Sequence, residues 1–173
     1  MASGQSVYLV GFMCSGKTTV GRLLARELEW RFIDLDELIA DRAGATVAEI
    51  FSDRGEDEFR RLESDALAGI AGTRAVVATG GGIVLSPSNR RLLRETGFVL
   101  WLRAELALLL ERARTQQHAE RPLWRDEGTL AVMLRHREPF YELADKVFDT
   151  AREEPQMVAR TLACAVREWM DQR

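Results

Sequence analysis

The stretch Gly11-Phe12-Met13-Cys14-Ser15-Gly16-Lys17-Thr18 satisfies G-x-x-x-x-G-K-[ST] at every fixed position. Its flanks constrain the fold as much as the motif does. Upstream lies the apolar run Ser6 to Val10 (SVYLV); downstream, Lys17 to Leu28 places Val20, Leu23, Leu24 and Leu28 on one helical stripe. A strand, a glycine-bounded loop and a helix in that order form a phosphate cradle. Backbone N–H groups surround phosphate oxygens and the helix N-terminus adds positive potential. Lys17 is expected to reach the β- and γ-phosphates, and the Thr18 hydroxyl to help hold the Mg²⁺ that bridges them. Gly11, Cys14, Ser15, Gly16, Lys17, Thr18 and Thr19 are therefore candidate residues for a nucleoside triphosphate.

The rest of the chain repeats this alternation. Further β-rich runs occur at Arg31 to Leu35, Ala75 to Thr79, Phe98 to Leu102 and Lys146 to Asp149. They are near-continuously apolar, as strands covered on both faces are. Helical patterns run from about Glu56 to Ile70, with Phe59, Leu62, Ala66 and Ile70 in step, and from Pro155, with Val158, Leu162, Ala165, Val166 and Trp169 in step. The expectation is one α/β domain over residues 1–173, a five-stranded parallel sheet flanked by helices. The segment from Arg114 to Gly128 breaks the pattern; it is polar, arginine-rich and contains Pro122, so it reads as a loop or a working lid.

Composition narrows the function classes. A net charge of −3 offers no electrostatic footprint for nucleic acid. No apolar run approaches the ~18 residues of a membrane span, and the N-terminus does not read as a secretory signal. Two cysteines, Cys14 and Cys164, make no disulfide framework and suit a reducing compartment, so a cytoplasmic protein is expected. The basic residues are almost all arginine, which genome composition explains; one of only two lysines, Lys17, still stands where the motif requires it.

Four further clusters bear on a phosphoryl acceptor. Asp34 and Asp36 lie two apart at the end of the second run, a spacing that in a strand sends both carboxylates into the crevice beyond the sheet, although either could instead cap a helix. Arg60 and Glu63, three apart on a helix, read in isolation as an ordinary surface pair. Gly80, Gly81 and Gly82 follow the third run and suit a close backbone approach to a ligand, or a plain turn. Arg137 precedes Pro139, which should kink or end its helix, and alone reads as a solvated charge. His118 and His136 read as solvated, and Cys164 as a packing residue.

Taken together, GFMCSGKT, FIDLD, EFRR, TGGG, the Arg121-Pro122 pair and the R-x-P-x-Y of Arg137 to Tyr141 resemble shikimate kinase, in order and approximate spacing over nearly the whole chain. The resemblance implies the fold of the nucleoside-monophosphate kinases, with a substrate-binding helical region at about 35–62 and a mobile lid at about 114–127. It implies ATP-dependent phosphorylation of the 3-hydroxyl of shikimate, with Mg²⁺, in aromatic amino-acid biosynthesis; a monomer is expected. Asp36 would hold the ring hydroxyls and act as the base, and Asp34 would support the metal site without touching the ion. Arg60 and Arg137 would grip the substrate carboxylate, as guanidinium forks do. Gly80, Gly81 and Gly82 would line the acceptor pocket, with Val47, Phe51, Phe59 and Pro122 as apolar walls. Arg121 would close over the phosphates and Arg114 would stack on adenine, while the second adenine-flanking position would fall at Glu153.

Two other answers are weaker. A gluconate or nucleotide kinase shares loop and lid but gives no reason for Asp36, Arg60, the three glycines and Arg137 together. A non-catalytic relative should have lost acceptor or phosphate residues, and none of the main ones is missing. Cys14 is the departure within the loop. It reads as a small side chain tolerated where φ need not be positive; the sharper expectation is a thiol activated by the helix N-terminus and Lys17, whose modification blocks the phosphate site.

Overall fold

A computed structural model describes residues 5–115, 126–151 and 153–172. Five parallel strands, β1 (Ser6–Val10), β2 (Arg31–Asp34), β3 (Ala75–Ala78), β4 (Gly97–Arg103) and β5 (Lys146–Asp149), form one sheet in the order β2-β3-β1-β4-β5. All five expected runs are strands. The sheet is covered on both faces because successive residues of the central strand point opposite ways. Val7 and Leu9 pack with α1 (Lys17–Leu28) and α7 (Pro155–Asp171), while Tyr8 and Val10 face the layer built from α2 (Leu35–Ala43), α3 (Val47–Ile70), α4 (Pro87–Thr96), α5 (Leu106–Thr115) and α6 (Glu127–Tyr141). Each large apolar side chain buried this way contributes about 1.5–3 kcal/mol.

β1 sits in the middle, pairing β3 on one side and β4 on the other. The strand order reverses there, and the crevice beyond the carboxyl ends at such a switch point is where open α/β sheets bind ligands. The loop from β1 to α1 opens into it.

Three helical details refine the sequence reading. The second strand ends at Asp34, and Asp36 lies in the first turn of α2, so the two carboxylates are not a strand pair on one face. The Asp34 side chain caps α2 by accepting from the Asp36 N–H at 3.1 Å. α3 is broken at Gly55 (φ 82°), which is why periodicity shows only its second half, from Glu56. Pro139 lies inside α6, which stops two residues later at Tyr141.

Candidate active site

The phosphate loop lines a cavity of about 550 Å³. Cys14, Ser15, Gly16, Lys17, Thr18 and Thr19 line it together with Asp34, Asp36 and Gly81. Lys17 is almost fully buried, and its ammonium donates to the carbonyls of Gly11 at 2.9 Å and Phe12 at 2.8 Å. The loop thus orients its own lysine along the cradle. Thr18 Oγ1 donates to Asp34 Oδ2 at 2.7 Å, while Asp34 Oδ1 caps α2. One carboxylate therefore ties the start of α1 to the start of α2.

Cys14 has φ 61°, which overturns the reading that a positive φ is not needed at this position. A side chain in the left-handed region costs roughly 1–2 kcal/mol. Cys14 lines the cavity and is half-buried, whereas Cys164, read as a packing residue, is exposed on α7.

The other candidate residues are assembled around the three glycines. β3 carries them directly beside the loop: Thr79 donates to the Leu9 carbonyl through its N–H at 3.2 Å and its hydroxyl at 2.9 Å. A Cβ on Gly81 would stand 3.5 Å from each of Gly11 O, the Met13 amide nitrogen and Arg137 Nη1. The Tyr141 hydroxyl donates to the Gly81 carbonyl, and burial holds that phenol well above its usual pKa. Arg137 is 4% exposed, not solvated, because α6 turns it inward over the Phe12 ring at 5.7 Å. A Cβ on Gly82 would fall 2.4 Å from the Arg60 guanidinium carbon. Arg60 lies over the Phe59 ring at 5.3 Å, and the Phe59 and Phe51 rings meet tilted at 37°, 4.6 Å between centroids. Val47 and Phe51 are half-buried against the same core.

The Arg60–Glu63 pair is not a surface pair. Glu63 is fully buried and accepts from Arg60 Nη1 at 2.9 Å, while Glu56 takes Arg60 Nη2 at 3.1 Å. The signal was present in the sequence: Glu63 sits four residues after Phe59 and three before Ala66, inside the apolar stripe of α3.

Donor and acceptor halves thus meet at Gly81 and Asp36. The shikimate kinase family model matches residues 13–167. The chain belongs to the shikimate kinase family. It is 46% identical over 169 residues to the shikimate kinase of Moorella thermoacetica, covering 96% of both chains. It is similarly 46% identical over 171 residues to that of Geobacter sulfurreducens, covering 96% of this chain and 93% of that one. The shikimate kinase of Acinetobacter baumannii, solved in complex with shikimate, superposes with a TM-score of 0.89 at 35% identity, over 95% of this chain and 94% of that one. A gluconokinase from Sinorhizobium meliloti, at 20% identity and a TM-score of 0.64, shares the fold.

Not every expected residue is brought to the cavity. Arg114 does not line it; it is largely exposed and paired with Glu127. Arg121, Pro122 and His118 lie outside the described residues. His136 is exposed, as expected. Glu153 lines the cavity beside two residues for which the sequence reading gave no site role, Arg112 and Pro155. Arg112 donates to the Thr150 hydroxyl at 3.1 Å and carbonyl at 2.8 Å, and Thr150 in turn reaches the Ser15 carbonyl at 3.5 Å. Only the β4 and β5 ends bring these together, so spacing along the chain carries no trace of the contact.

Proposed function

We propose that the protein transfers the γ-phosphoryl group of ATP to the 3-hydroxyl of shikimate, giving shikimate 3-phosphate for aromatic amino-acid biosynthesis. The observation that carries this reading is the pairing of two inward-turned guanidiniums, Arg60 and Arg137, with Asp36 around a side-chain-free glycine run that abuts the phosphate loop. A small hydroxylated carboxylic acid fits that donor set: the arginines take the planar carboxylate, and Asp36 accepts from ring hydroxyls. Asp36 is then placed to orient the attacking hydroxyl and receive its proton. Lys17 leaves its loop carbonyls for the β- and γ-phosphates, where its charge offsets the charge that develops in transfer.

The Thr18 hydroxyl and Asp34 carboxylate are hard oxygen donors already in contact at 2.7 Å, a set that suits Mg²⁺ held through few protein groups and substrate phosphates. When bound, that ion neutralises phosphate charge. Thr18 would hold it and Asp34 would orient Thr18. Cys14, Ser15, Gly16 and Thr19 line the cavity and, with Gly11, would complete the triphosphate cradle. The family resemblance adds Arg121 as the cation that would close over the phosphates. Free cysteines among the described residues are compatible with a monomeric cytoplasmic enzyme.

A coupled ADP-release assay with ATP and Mg²⁺ tests the reading, comparing shikimate, quinate, gluconate and nucleoside monophosphates. ADP release should depend on shikimate; equal release with and without it refutes the assignment. Arg60→Ala and Arg137→Ala should each lower kcat/KM for shikimate about ten- to a hundredfold, the worth of a charge-assisted contact, and leave ATP binding intact.

A further inference from the structure

Glu63 is an acid that the transfer chemistry leaves unused. Its Oε2 accepts from Arg60 at 2.9 Å, while Oε1 is buried with no hydrogen-bond partner among the described residues. Oε1 is wedged against Gly80, where a Cβ would lie 2.2 Å from it and 3.1 Å from Asp36 Oδ1. Two carboxyl groups therefore flank one glycine at the acceptor end of the site. The charged and titratable groups facing Glu63 are Arg60 on α3, Asp36 on α2, and Arg137 and Tyr141 on α6, with Glu56 sharing Arg60.

Burial raises the Glu63 carboxyl most, Arg60 pulls it back, Asp36 raises it again and Arg137 lowers it; it is pushed up to about 7. An anionic acceptor alters this balance in one direction. Its carboxylate draws on the same two guanidiniums that keep Glu63 ionised, and it adds negative charge to a desolvated pocket.

We propose that Glu63 is a positioning residue that takes up one proton from solvent as the acceptor carboxylate binds to Arg60 and Arg137. The new O–H bond forms at Oε1, the oxygen on the Gly80 and Asp36 side, and Oε2 continues to accept from Arg60. Neutral Glu63 no longer competes as an anion for Arg60, so the guanidinium stays in place and its charge passes to the substrate. Acceptor affinity is thereby linked to pH through one buried side chain. The proposal rests on shikimate being the acceptor.

Calorimetric titration of the full chain with shikimate tests it, from about pH 6 to about pH 8.5, each pH in two buffers of different ionisation enthalpy. Binding should take up a fraction of a proton that is largest from about pH 7 to about pH 8, and the Kd should be flat below about 7 and weaken by up to about tenfold per pH unit above it. Glu63→Gln carries the neutral form permanently; it should bind with no proton uptake and a Kd that does not change with pH, while still binding ATP. Heats independent of buffer at every pH, or uptake that persists in Glu63→Gln, would overturn the proposal and leave the acceptor assignment standing. If Glu63→Gln does not fold, the wild-type buffer pairs decide alone. No binding of shikimate at any pH would overturn the acceptor assignment, and the proposal with it.

Discussion

Gly82→Ala isolates the acceptor half of the site. Gly82 has φ −100° and ψ −1°, a conformation open to alanine, so the substitution acts through its methyl group alone. That methyl would lie 2.4 Å from Arg60 Cζ and Nη2 and 2.5 Å from Nη1, about 1 Å inside ordinary contact. The guanidinium must give way. It ends a flexible side chain that is 23% exposed, so it can swing outward, at an overpacking cost of about 1–3 kcal/mol and with its ion pair to buried Glu63 weakened. What is lost is its place over the glycines. Losing one charge-assisted contact of about 1.5–3 kcal/mol lowers kcat/KM for shikimate about ten- to a hundredfold. The loop is untouched, so KM for ATP should stay within about twofold, read from the same coupled assay with each substrate varied in turn. Gly80→Ala is the contrast: its methyl would meet Glu63 Oε1 at 2.2 Å, on a fully buried side chain with no room to retreat, so the loss there should appear as a lowered Tm. A Gly82→Ala enzyme with unchanged shikimate KM, or with both KM values raised alike, would refute the placement of Arg60.

Two further outcomes follow from strain and burial. Cys14→Gly removes a side chain from φ 61° and should stabilise the fold by about 0.5–1 kcal/mol, a Tm rise of roughly 1–4 °C, with no loss of ATP binding; a lower Tm would show that Cys14 packing outweighs the strain. The folded protein holds a Glu63 proton up to about 7 that the unfolded chain releases near 4.5, so wild-type stability should fall as pH rises through that window, by up to about 1.4 kcal/mol per pH unit, and remain reduced above it. Urea unfolding of Glu63→Gln across the same window should show that slope removed, and an unchanged slope would assign it to another group.

The strands and the donor loop were legible because each is local. A run buried on both faces is apolar throughout, and G-x-x-x-x-G-K-[ST] needs nothing beyond its own strand and helix. The residues expected to bind the acceptor could be named from the sequence, but their environments could not. Asp36 reads as a strand residue until the short helix Leu35–Ala43 begins beneath it, and that helix is too brief and too weakly amphipathic to announce itself. Glu63 and Arg60 have the spacing of a surface pair, and what buries them is the packing of the glycine run and α6 from far along the chain. Arg112 acquires its place only when β4 and β5 bring Thr150 to the loop. The positive φ of Cys14 is a property of the closed loop, and residue type argues against it.

Gly81 explains why the two halves must be built so closely. It lies between the loop backbone at Gly11 and Met13 and the guanidinium of Arg137, each 3.5 Å from where its side chain would begin. Transfer needs the attacking oxygen about 3–3.5 Å from phosphorus and in line with the leaving group, a geometry lost if any side chain intervenes. A bare glycine there would be free to wander, since it lacks the contacts that a side chain supplies. Two hydrogen-bonded anchors remove that freedom. Thr79 fastens the strand end to Leu9 of β1, and the Tyr141 hydroxyl grips the Gly81 carbonyl from α6. Because Arg137 lies one helical turn before Tyr141, the contact that holds the glycine also sets the guanidinium beside it. The empty space at Gly81 is therefore a positioned element of the site, held from both sides by residues that need touch neither substrate.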